Sequence, residues 1–192
     1  MLIIIYIYII IIQYLVEIII NFLGVSLVIK FFNKLFSIPN NFYSKNNKYL
    51  LISTMFGVGY IKKAPGTFAS FLTLLVAIFF GYLISTLLVI MFTLFLIIGF
   101  FVCEQSCSDE NIDPSYVVID EVVGQLLAVI LVYNNIYLSI LSFIIFRILD
   151  IKKPWIIGMC ETKFKGGVAI MMDDIVAGFI TLIVVTTISI FI

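Results

Sequence analysis

Five carboxylates and a few cations carry whatever chemistry this chain performs. Asp120 and Glu121 are adjacent, Asp173 and Asp174 are adjacent, and Asp150 stands three residues after Arg147. All five lie within or beside runs of Ile, Val, Leu and Phe, where an ionised side chain is expensive and by default functional. Hard oxygen donors without histidine favour Mg²⁺ over zinc. Mg²⁺ takes one or two protein carboxylates and keeps water, so not all five can ligate one ion. Some must act from outside the ligand set or as a general base. The competing reading is helix capping together with pairing to loop lysines. A carboxylate at a helix start suits the dipole, which explains one Asp better than two adjacent ones.

The cations and turns that accompany these acids suit phosphate. Gly57-Val-Gly59 and Lys63-Ala-Pro65-Gly66-Thr67 form a glycine-bearing stretch whose backbone N–H groups could face a phosphate at a helix start, with Thr67 as cap and Lys63 as counter-charge. A tight interfacial loop explains the same glycines equally well, and Lys62 reads equally as a lipid-headgroup anchor. Arg147 is the one arginine, and its planar fork suits bidentate phosphate or carboxylate contact. It also shares a helix face with Asp150, so a structural ion pair stands as the alternative. Lys153 precedes Pro154, a helix stop, and Trp155 reads as an interfacial anchor.

Several phosphate-transfer chemistries are excluded. The chain has no histidine for a phosphohistidine intermediate. None of Cys103, Cys107 and Cys160 has arginine six residues later, and their spacing implies neither a disulfide nor a metal site. No Asp-x-Asp pair exists for an aspartyl-phosphate route. Hydrolysis by metal-activated water with a carboxylate base is what is left.

The elements that must position these groups are membrane helices. Of the 192 residues 64% are hydrophobic and 11% charged, and the mean hydropathy is +1.27. A soluble domain carries about 25% charged residues. Zero formal net charge argues against a nucleic-acid partner. Residues 1–29 suffice for one tilted span, lack the flanks of a cleaved signal peptide, and lead into a polar connection over 30–48. The stretch 68–102 is too long for one span and predicts a hairpin broken between Gly81 and Ser85-Thr86. Two helices of about 15 residues each, 120–133 and 136–151, follow around Asn134-Asn135, short for a bilayer core. A last helix runs over 174–192. The expected fold is all-α, a small bundle of about six transmembrane or membrane-embedded helices. Even numbers of helices separate the polar motifs, which places them, and all eleven Lys and Arg residues, on one face. By the positive-inside rule that face is cytoplasmic and both termini lie outside.

Four motifs together resemble the phosphatidylglycerophosphatase A family. They are Gly57-x-Gly59…Lys63-Ala-Pro-Gly-Thr67, Val118-Ile-Asp-Glu-Val-Val-Gly124, Phe146-Arg-Ile-Leu-Asp-Ile-Lys-Lys-Pro-Trp155, and Gly166-Gly-Val-Ala-Ile-Met-Met-Asp-Asp-Ile-Val-Ala-Gly178. The resemblance implies a Mg²⁺-dependent enzyme of the bacterial inner membrane. Its substrate would be the lipid phosphatidylglycerophosphate, hydrolysed to phosphatidylglycerol and phosphate in glycerophospholipid synthesis. It further implies that Asp120, Glu121, Asp150, Asp173 and Asp174 form the acidic metal and catalytic site. Lys63, Gly66, Thr67, Arg147 and Lys153 are expected to bind the substrate phosphate. The family-like domain is expected over 41–192, behind an extra apolar helix and connection over 1–40. Ala69 and Ala169 stand where the family pattern carries glycine. The alternative from another class is a small cation-translocating protein with a carboxylate-lined path. The sequence does not give an oligomeric state.

Overall fold

The computed structural model describes residues 48–106 and 114–192. These fall within one compact unit, Ile38–Ile192. The N-terminal span over 1–29 and the polar connection over 30–48, save its last residue, lie outside the described residues, as do residues 107–113.

Among the described residues the protein is all-helical. Helix α1 is Lys48–Ser53, followed by a 3-10 turn at Val58–Tyr60. Helices α2 (Pro65–Leu83) and α3 (Ser85–Ser106) form the expected hairpin, broken at Ile84 in extended conformation. Helices α4 (Ile119–Val129) and α5 (Ile136–Lys152) come next, then a short α6 (Ile156–Lys163) and the long α7 (Gly167–Ile190). Helices α2, α3 and α7 are long and apolar enough to cross a membrane. Helix α4 has 11 residues, about 17 Å at 1.5 Å per residue, and nearly all its side chains are buried. It is an internal strut, not a span.

Three boundaries differ from the sequence reading, each for a local reason. Helix α2 begins at Pro65, so Thr67 sits in the first turn and does not cap it. Proline lacks the N–H that a first helical residue leaves unbonded anyway, and its fixed φ suits that position. Helix α7 begins at Gly167, so Asp173 and Asp174 lie almost two turns inside it, not at its N-terminus. Simple capping therefore does not account for them. Between Trp155 and Lys165, where the sequence reading placed no element, lies α6. The Asn134-Asn135 turn is as expected: Asn135 Oδ1 accepts from the N–H groups of Tyr137 (3.0 Å) and Leu138 (3.3 Å), satisfying donors that α5 leaves open.

Helix α7 is the common wall of the bundle, packing on α3, α4, α5 and α6. Its crossing with α4 depends on two glycines. A Cβ on Gly178 would strike the carbonyl of Gly124, and one on Gly124 would stand 2.7 Å from the carbonyl oxygen of Asp174. Small residues let helix backbones approach this closely without a void. The contact matters for function because it sets α4, which carries Asp120 and Glu121, directly against the turn of α7 that carries Asp174. Below it, Leu74, Leu88, Leu126, Val129 and Val185 form the apolar core.

Candidate active site

Three helix ends and the second turn of α7 supply the polar groups. The first turn of α2 brings Gly66 and Thr67, and the start of α4 brings Asp120 and Glu121. The end of α5 brings Arg147, Asp150 and Lys153, and α7 brings Asp173 and Asp174. All nine, with Ser115, line one cavity of about 330 Å³. That volume suits a headgroup-sized ligand.

At its centre, one ligand oxygen from each of Asp120, Glu121 and Asp174 lies within 4.8 Å of the others. Asp150 lines the same cavity beside these three. Carboxylates this close repel unless a proton or cation lies among them. Asp120 Oδ1, Glu121 Oε2 and Asp174 Oδ1 are buried without a hydrogen-bond partner. Such orphaned acceptors are costly, and a bound cation would satisfy all three. The donors are oxygen only, the set a hard divalent ion prefers.

The cations form the rim. Arg147 Nη1 pairs with Asp150 Oδ2 at 2.5 Å and donates to Ser70 Oγ at 3.3 Å. Ser70 Oγ in turn donates to the carbonyl of Gly66 at 2.8 Å, tying α5 to the start of α2. Lys153 Nζ lies 2.7 Å from Asp173 Oδ2, while Asp173 Oδ1 accepts from the Asp174 N–H at 3.0 Å. A Cβ on Gly66 would fall on the Glu121 carboxylate, so a side chain there would displace Glu121 from its place in the cavity. The Gly66 N–H and that of Thr67 precede the first intrahelical bond of α2, from Phe68 N to the Ala64 carbonyl, and so are open to an anion.

The remaining expected groups are placed differently. Lys63 is exposed and is not part of the cavity lining. The Gly57 and Gly59 amides donate to Thr54 Oγ1 (3.1 Å) and to the Thr54 carbonyl (2.9 Å), so this stretch is a tight loop and its amides are spent. Cys160 is buried, and burial followed by the Asp173 carboxylate pushes its thiol up, which disfavours the thiolate. Sequence reasoning missed Ser70, and it missed Glu104. Glu104 Oε2 accepts from the Gly167 N–H at 2.7 Å, capping α7 from the end of α3. Its one signal was an acid closing a long apolar run.

A sequence model of the family Phosphatidylglycerophosphatase A matches residues 51–189. The chain belongs to this family. A relative named phosphatidylglycerophosphatase A from Escherichia coli is 37% identical over 71% of this chain and 80% of its own length. One of the same name from Haemophilus influenzae is 31% identical over 74% and 90%. A Bacteroides thetaiotaomicron protein, provisionally named a phosphatidylinositol-3-phosphatase, is 36% identical over 71% and 90%. No solved structure matches the chain. All nine residues named above that line the cavity fall inside the span matched by the phosphatidylglycerophosphatase A model. The two alanines singled out in the sequence are buried: Ala69 lies in α2, and Ala169 lies in the first turn of α7.

Proposed function

We propose that this protein is a membrane lipid phosphatase that hydrolyses phosphatidylglycerophosphate to phosphatidylglycerol and phosphate. The observation that carries this reading is one cavity in which unpartnered buried carboxylates stand beside an arginine, a lysine and open helix-start amides. Membership of the family supports the choice of substrate.

Asp120, Glu121 and Asp174 would hold Mg²⁺, which when bound neutralises phosphate charge and makes water a better nucleophile. The rest of the chemistry belongs to the chain itself. Arg147 and Lys153 leave their carboxylate partners to hold the terminal phosphate, Arg147 through its two-pronged fork and Lys153 as a point charge. The N–H groups of Gly66 and Thr67 take a further phosphate oxygen. Asp150 and Asp173, released from those ion pairs, are placed to accept the proton of the attacking water. Exchange of partners thus couples substrate arrival to freeing of a base. We place the cavity on the cytoplasmic face of a bacterial inner membrane, in keeping with the positive-inside rule. Lys63 then serves the approach of the anionic headgroup, not its final seat. Translocation of cations fits less well, since a path needs acids through the bilayer midplane and these gather in one cavity at one end of the bundle.

The test is phosphate release by the purified full chain from phosphatidylglycerophosphate, phosphatidic acid and phosphatidylinositol 3-phosphate, with Mg²⁺ and with chelator. Preference for the first lipid, abolished by chelator and restored by Mg²⁺, is expected. Preference for the inositol lipid would overturn the substrate assignment, and chelator-insensitive turnover would overturn the metal.

A further inference from the structure

The link between α5 and α7 has an unusual backbone. Lys153 (φ 42) and Trp155 (φ 38) both adopt positive φ on either side of Pro154. Non-glycine residues hold this conformation only where the surrounding structure imposes it, and it accumulates at functional segments. Its effect here is to turn Trp155 outward. That side chain is 91% exposed, more than the C-terminal Ile192 at 87%. Ile156, Met159 and Phe164 continue the exposed apolar surface, whereas Ile157 and Cys160 on the opposite side of α6 are buried. Helix α6 therefore holds the bundle with one face and presents hydrophobic side chains with the other. Its eight residues span about 12 Å, far short of a bilayer core of about 30 Å.

The sequence around this face is predominantly basic. Lys152, Lys163 and Lys165 are exposed. Over residues 152–165 four lysines face a single acid, Glu161, an excess of three positive charges. Lys153 is paired with Asp173 at the cavity. A tryptophan and aliphatic side chains flanked by lysines have the composition of a segment lying in the headgroup layer, with lysines attracted to anionic lipid.

We propose that residues 152–165 form an interfacial docking surface for anionic phospholipid. Trp155, Ile156, Met159 and Phe164 sit at the boundary of headgroups and acyl chains, and Lys152, Lys163 and Lys165 lie against lipid phosphates. Because Lys153 belongs both to this link and to the cavity lining, docking holds the cavity at headgroup depth. The inference does not depend on which lipid the cavity hydrolyses.

Trp155 is the only tryptophan in the chain and reports on its own position. The full chain is reconstituted into vesicles containing lipids brominated near the glycerol or near the terminal methyl. Shallow bromines are expected to quench Trp155 fluorescence more than deep ones. Energy transfer from Trp155 to dansyl-labelled phosphatidylglycerol should exceed transfer to dansyl-labelled phosphatidylcholine. That excess should vanish at high salt and in the combined variant Lys152→Gln, Lys163→Gln, Lys165→Gln, with the depth profile unchanged. Quenching by aqueous iodide but by no brominated lipid would overturn the proposal by placing the segment in water. Strongest quenching by deep bromines would overturn it by placing the segment in the hydrocarbon. Equal transfer to both labelled lipids would overturn its anionic preference.

Discussion

Asp174 concentrates the conflict from which the site is built, since it is buried against Asp150 and near Asp120 and Glu121, with Oδ1 unpartnered. Asp174→Asn removes one of several crowded negative charges, so metal-free protein should melt at the same or a higher temperature. Turnover should nevertheless fall more than about 100-fold, because even partners outside the ligand set cost 10–100-fold in metal sites. Calorimetry beside a phosphate-release assay checks both halves. A lower melting temperature with turnover retained would make Asp174 a structural group. The lysines offer a sharper contrast. Lys153 touches Asp173 in the cavity while Lys63 lies outside it, so Lys153→Gln should raise KM for the lipid and Lys63→Gln should change it far less. Equal KM in the two variants would remove Lys153 from phosphate binding.

Helix junctions hold these residues in place, and Glu104 shows how. Its carboxylate accepts the Gly167 N–H and so fixes the start of the helix that carries Asp173 and Asp174. Glu104→Gln keeps an acceptor but loses the charge that complements a helix start, and should lower stability by about 0.3–1 kcal/mol. Glu104→Ala should cost about 0.5–2 kcal/mol, as for loss of a cap, measured by thermal unfolding in detergent. Equal melting of wild type and both variants would show the contact contributes nothing. The alanines sharpen the same point. Both Ala69 and Ala169 are helical, so glycine at either position should cost about 0.5–1 kcal/mol. The sequence reading began the last helix at 174 and so left Ala169 outside it. Activity of Ala69→Gly and Ala169→Gly is expected to equal or exceed that of the parent chain in the same assay. This contrast also marks what the sequence could reveal. Charges stood out because an apolar chain tolerates few, and Asn134-Asn135 and Ile84 could be located as breaks. Helix starts at Pro65 and Gly167 could not, since Gly66 is packed by Glu121 and Gly167 is capped by Glu104, partners distant in the chain. Helix α6 escaped notice because eight residues with one buried side have too little periodicity to distinguish from a loop.

At the scale of the molecule, function rests on the chain returning its polar groups to one end of the bundle. Helix α2 starts at the cavity and α3 comes back, α4 starts there and α5 comes back, and α7 leaves from it again. The Asn134-Asn135 turn joining α4 to α5 must then lie at the opposite end from Lys165, which precedes α7. Helix α4 has 11 residues, yet Tyr82 Oη donates to the Asn134 carbonyl at 2.7 Å, which sets that turn beside the end of α2 that faces the far aqueous phase. The Ile84 break joins two helices of spanning length, 19 and 22 residues, and must reach it. A chain whose three cysteines are replaced by serine, carrying either Lys165→Cys or Ser85→Cys, tests this arrangement with a membrane-impermeant thiol reagent. In sealed vesicles of defined orientation the two variants should react from opposite sides. In the same background Asn134→Cys should react from the same side as Ser85→Cys, because Asn134 is exposed and its carbonyl accepts from Tyr82, beside the Ile84 break. Labelling of Lys165→Cys and Ser85→Cys from the same side would break the alternation that brings Gly66, Asp120, Asp150 and Asp174 together, and with it the reading of the cavity as facing one aqueous compartment.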